Sequence, residues 1–132
     1  MARLRGYKEQ VGSVDPSLIE EGDFTWDSGA EATRRLLERA PDIDAIFAAN
    51  DLMAAGAIAV LNEQGRRVPE DVAVVGFDDS SVALATTPQL TTLRQPFDRV
   101  SREVVRLLLE VIDGLAPAAM SLPLELVVRG SA

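Results

Sequence analysis

The sequence predicts an α/β fold, a parallel sheet flanked by helices. Apolar runs of strand length alternate with helical stretches of roughly ten to fifteen residues, the pattern of α/β units. The run VAVVGF, Val72 to Phe77, reads as a buried strand. Polar pairs follow two successive runs, Asn50-Asp51 after DAIFAA and Asp78-Asp79 after VAVVGF, and so fall on one sheet edge. In parallel sheets the binding crevice lies at that edge, outside the carboxyl ends of the strands.

The elements follow in order. Leu4, Tyr7 and Val11 stand at i, i+3 and i+7, which predicts a first helix with Gly12 as its C-terminal cap. DPSLIEEGDF, from Asp15, reads as a turn and then a short strand around Leu18 to Gly22. Asp27 or Ser28 can cap a helix over GAEATRRLLERA, which stops before Pro41. DAIFAA, Asp44 to Ala49, is strand-length, and Asn50 caps a helix through LMAAGAIAVLNEQ that Gly65 closes. After VAVVGF comes a loop through Thr86, Thr87 and Pro88, then the short strand LTTL and Gln95-Pro96. The helix FDRVSREVVRLLLEVIDG carries Val100, Val104, Leu107, Leu108, Val111 and Ile112 on an apolar stripe and ends at Gly114. The linker APAAMS precedes a final strand, PLELVVR.

Composition excludes several chemistries. The chain of 132 residues has neither histidine nor cysteine, which removes Ser-His and Cys-His nucleophiles, disulfides and the usual zinc ligands. A net charge of −8 has the wrong sign for holding phosphate backbones, so these residues alone are not expected to bind DNA. No apolar run reaches the length of a membrane span, and the first dozen residues lack a secretory h-region.

That leaves the question of Asp78 and Asp79, adjacent carboxylates that repel and resist burial. Asp42, Asp44, Asp51, Asp78 and Asp79 are hard oxygen donors, but no calcium-loop spacing joins them, and no P-loop, GxGxxG or nucleophile elbow is present. Asx hydrogen bonds capping a turn are one reading. A hydroxyl-rich ligand is the other: carboxylates accept from neighbouring hydroxyls, Asn both donates and accepts, Arg adds a donor fork, and an aromatic face packs on a sugar ring. Asp78, Asn50, Arg3, Phe24 and Trp26 supply those groups.

Three long phrases then carry a resemblance: FAANDLMAAGAIAVLNEQGRRVPEDVAVVGFDD, PQLTTLRQPFDRVSREVVRLLLEVIDG and LPLELVVRGS. With RLRGY and GDFTWDSGAEA, they resemble the C-terminal half of lactose-repressor (LacI/GalR) family regulators, in the family's order over nearly the whole chain. The resemblance implies the C-terminal lobe of a type I periplasmic-binding-protein-like fold, cytoplasmic, with no enzymatic activity and no cofactor. It implies a sugar-type effector and a homodimer. Operator DNA would be met only through a helix-turn-helix that this sequence does not contain.

By position the resemblance assigns ligand contacts to Arg3, Phe24, Asn50, Asp78, Gln95 and Phe97, with Phe24 stacking on the ligand. Asp79 would serve the turn. It assigns the dimer interface to Leu52, Met53, Ala55 and Gly56, together with Ser80, Val82 and Ala83. Residues 1–132 would form a partial effector-binding domain, with 95–114 a crossover and helix belonging to the other lobe. First-lobe units and the strand that should precede RLRGY are missing, so the sequence reads as a fragment. The expectations are weak sugar binding by this half alone and an apolar stripe on the 97–114 helix left uncovered. A sugar-binding module of a transport system and a ligand-free dimerisation remnant are the alternatives.

Overall fold

The computed structural model describes residues 2–132. Helix α1, Ala2–Val11, ends at Gly12, whose φ of 83° is the left-handed geometry that glycine adopts freely; its N–H closes on the Lys8 carbonyl at 3.0 Å. The expected strand around Leu18 to Gly22 is not formed. Asp15 instead caps a 3₁₀ turn at Pro16–Leu18, accepting from Ser17 N–H, and the residues that follow join no sheet. Side chains hold this segment where a ladder was expected. Glu20 takes Arg35 at 2.9 Å and also pairs with Arg39, whose guanidinium reaches the Ser17 carbonyl.

Those arginines belong to α2, Trp26–Arg39. Its N-cap is Thr25 and not Asp27 or Ser28: Thr25 Oγ1 accepts from Ser28 N–H, while Ser28 Oγ accepts from Asp23 N–H. After β1, Ala45–Phe47, comes α3, Asp51–Glu63, with Asn50 as its cap and Gly65 beyond its end at φ 71°. Then follow β2 (Ala73–Asp78), the short helix α4 (Ser81–Ala85), β3 (Thr91–Arg94), α5 (Phe97–Ile112) and β4 (Glu125–Val127). Helix α4 forms within the stretch after VAVVGF where the sequence predicts loop.

The sheet order is β1-β2-β3-β4. β1 and β3 both pair with β2 in parallel, with Phe47 opposite Val75 and Asp78 opposite Arg94. β4 departs from the expected parallel sheet by running antiparallel to β3, with Arg94 opposite Glu125. The last residues then tie back into the sheet. Ser131 is buried, its hydroxyl donating to Val74 O at 2.6 Å and accepting from Thr91 N–H at 2.8 Å.

The core lies between α3 and the sheet. Ile58 and Leu61 pack with Val72, Val74 and Leu90, and each such side chain removed from water contributes about 1.5–3 kcal/mol. α2 crosses α3 at glycine: a Cβ on Gly29 would strike the Met53 backbone, and one on Gly56 would strike the Trp26 carbonyl. Met53, Gly56 and Ala83, assigned above to a dimer surface, are therefore interior. Their small or flexible side chains serve the α2–α3 crossing and the packing of α4 within the lobe. Leu52 stays exposed, while Ala55, Ser80 and Val82 are partly so.

Helix α5 buries no residue at all. Val104, Val105, Leu108, Leu109, Val111 and Ile112 are each 55–69% exposed, an uncovered apolar face of the kind the sequence predicts.

Candidate functional site

The carboxyl ends of β1, β2 and β3 lie side by side, and each carries a polar residue from the sequence reading: Asn50, Asp78 and Gln95. Asn50 works in two directions. Its Oδ1 accepts from Met53 N–H at 2.9 Å, capping α3, and its Nδ2 donates to the Phe24 carbonyl at 2.9 Å. That second bond pins a residue held at φ 70°, a conformation unfavourable for a bulky aromatic. Phe24 is 42% exposed, so it is presented at the surface and not spent on the core.

Asp78 closes β2 at φ 113° and Asp79 follows at φ 54°. Phe24, Asp78 and Asp79 are the positive-φ residues other than glycine among those described. Such strain persists where surrounding contacts over-determine it. For Asp78 the contact is Gln95, whose Nε2 donates to Oδ1 at 2.5 Å. Asp78, Gln95 and Phe97 line one open groove of ≈ 460 Å³, together with Arg94, Arg99 and Arg102. Arg3, Phe24 and Asn50 do not line that groove. Arg3 reaches the neighbouring Phe77, its guanidinium 4.0 Å above the ring centroid, a cation–π contact.

Asp79 serves the turn, as the resemblance implies, and does so through charge. Its carboxylate takes Arg129 at 2.5 Å and Arg94 at 2.6 Å, joining the loop after β2 to β3 and to the chain end. Burial pushes its pKa up, but the two guanidiniums outweigh this and hold the carboxyl below the ordinary aspartate value.

Sequence reasoning did not assign a role at this edge to Asp51 or Thr92. Asp51 is 1% exposed and accepts from Thr92 Oγ1 at 2.6 Å and from Ser80 N–H at 2.7 Å. The signal was the doublet Asn50-Asp51 itself: one member faces the edge and the other is buried beneath it. The acidic residues do not converge as metal ligands among the described residues. No helix among them is long and apolar enough to cross a membrane.

The sequence profile of the periplasmic binding protein-like domain family matches residues 2–132. The chain belongs to that family. Within it, the chain is similar to the HTH-type transcriptional regulator CelR of Thermobifida fusca, 50% identical over 98% of this chain and 40% of that protein. The structure of a CelR–cellobiose complex superposes with a TM-score of 0.93 at 50% identity, covering 98% of this chain and 42% of the other. A sugar-binding LacI-family regulator from Escherichia coli, complexed with phosphate, gives 0.85 at 38% identity, covering 98% of this chain and 49% of that one. The fold is thus that of LacI-type effector-binding domains, and the chain spans about 40% of the curated relatives it matches.

Proposed function

We propose that this chain is the effector-binding and dimerisation portion of a sugar-responsive LacI-family transcription regulator. It binds and does not catalyse, and the regulator works in the cytoplasm, meeting operator DNA through a helix-turn-helix outside these residues. The observation that carries the reading is the row Asn50, Asp78 and Gln95 on three adjacent strand ends, beside an exposed Phe24. Carboxylate and amide groups in a row match the alternating donors and acceptors of a sugar's hydroxyls, and the ring matches its apolar face. Similarity to a cellobiose-bound regulator supports a β-linked disaccharide as the first ligand to try.

Arg3 and Phe97 complete the contacts when a second lobe closes over the edge. The segment 95–114 crosses to that lobe, which covers the apolar face of α5. Leu52, Ala55, Ser80 and Val82, with the exposed Leu84 beside them, form the surface that meets a second copy. Sedimentation of wild type and of Leu52→Glu tests this surface. The wild type should self-associate at micromolar concentration and the variant should not.

The effector reading is tested by titration calorimetry with cellobiose, in a full-length regulator carrying this half. Asp78→Ala should lower affinity about tenfold or more, since hydrogen bonds to a charged group are worth about 1.5–3 kcal/mol. Operator binding without sugar should stay intact. Unchanged affinity removes Asp78 from the site.

A further inference from the structure

Asp51 is buried at the first position of α3, and no cation contacts it among the described residues. Burying a carboxylate is costly unless its lone pairs are met, so the position of its partners is informative. Both are neutral donors, one from the turn that follows β2 and one from β3. Ser80 N–H, two residues beyond Asp78, meets Oδ2 at 2.7 Å, and the Thr92 hydroxyl in β3, three residues before Gln95, meets Oδ1 at 2.6 Å. The carboxylate is itself one residue from Asn50. A single buried side chain therefore joins the three strand ends that carry Asn50, Asp78 and Gln95. Gly76 leaves it room: a Cβ there would stand 2.5 Å from Asp51 Oδ1.

We infer that Asp51 is the positioning residue of this edge, setting the spacing of Asn50, Asp78 and Gln95 from beneath without touching ligand. The inference rests on reading that edge as the effector site. Its test uses the ¹⁵N-labelled 132-residue chain and needs no ligand, because the Gln95 side-chain amide reports its bond to Asp78 by NMR.

In Asp51→Ala the Ser80 amide should exchange about tenfold faster or more, as expected for a lost hydrogen bond to a charged group, and the Gln95 amide should move to its solvated position. Asp51→Asn should restore both signals, since its Oδ1 accepts from Ser80 and its Nδ2 donates to the Thr92 oxygen. Thr92→Val removes the β3 tie alone. It should shift Gln95 while Ser80 stays protected, and it decides the matter even where the alanine variant does not fold. A purely structural role would lower the melting temperature of these variants and leave the Gln95 signal in place; that result overturns the inference.

Cellobiose titrated into the full-length regulator, wild type and Asp78→Ala, separates the two readings. If Asp78→Ala weakens binding while Thr92→Val leaves Gln95 unmoved, the positioning role fails and the site survives. If the Asp51 series moves Gln95 but Asp78→Ala binds cellobiose as wild type does, the effector reading fails and the positioning role stands.

Discussion

Asp23 and Asp79 are both carboxylates in tight hydrogen-bonded settings, and they respond differently to change. Asp23 lies before the α2 cap, bonded to Thr25 and Ser28, and these bonds hold its pKa at about 2 against an ordinary 3.8. A depressed folded-state value means that its contribution is present above the unfolded pKa and lost as pH falls towards about 2. Melting curves should therefore place wild type above Asp23→Asn near neutrality, with the gap closing across that acid window. Asp79 is a different case, because its pair with Arg129 is nearly out of solvent, with side chains 8% and 14% exposed. Arg129→Ala leaves Asp79 with the more exposed Arg94 alone, so it should cost about 1.5–3 kcal/mol in denaturant unfolding, the loss of a hydrogen bond to a charged group. Arg129→Met, which cannot hydrogen-bond, should not recover that loss.

At the scale of the element, the α2–α3 crossing is set by backbone approaching backbone. Gly56→Ala places a methyl group against the Trp26 carbonyl and Ala30 N, which cannot rotate away. Overpacking of this kind costs about 1–3 kcal/mol, and urea denaturation should show it without a change of slope. The same crossing explains what sequence could and could not tell. Asn50 as a cap, Gly12 and Gly65 as terminators and the adjacency of Asn50 and Asp78 were legible, because caps and strand ends are written in neighbouring residues. Met53, Gly56 and Ala83 were not. A small residue on an apolar helix packs equally well on either face, and only the partner helix decides which face is inside. Leu18 to Gly22 misled for a related reason. Its residues suit a strand, but its ties run to Arg35 and Arg39 on the following helix, a choice of partner that no local pattern encodes. The Asp51–Thr92 bond spans forty-one positions and was invisible for the same reason.

For the whole molecule, the sheet is one body and α5 an excursion from it. The chain leaves β3 at Arg94 and returns at Glu125, which are direct antiparallel partners. Topologically this is a β-hairpin whose connecting loop happens to contain a helix. A turn of a few residues spans two adjacent antiparallel strands, so about thirty residues are more than closure of the sheet requires. Replacing residues 97–122 by a short Gly-Ser turn should leave the β1–β4 ladder folded, as judged by amide exchange at Val74 and Thr92. Because closure entropy grows only logarithmically with length, the shortening should add roughly 1–2 kcal/mol of stability. By the same arithmetic the excursion is thermodynamically cheap. The sheet tolerates changes of length and sequence in α5 at little cost to itself, so that helix is free to be shaped by whatever it docks against.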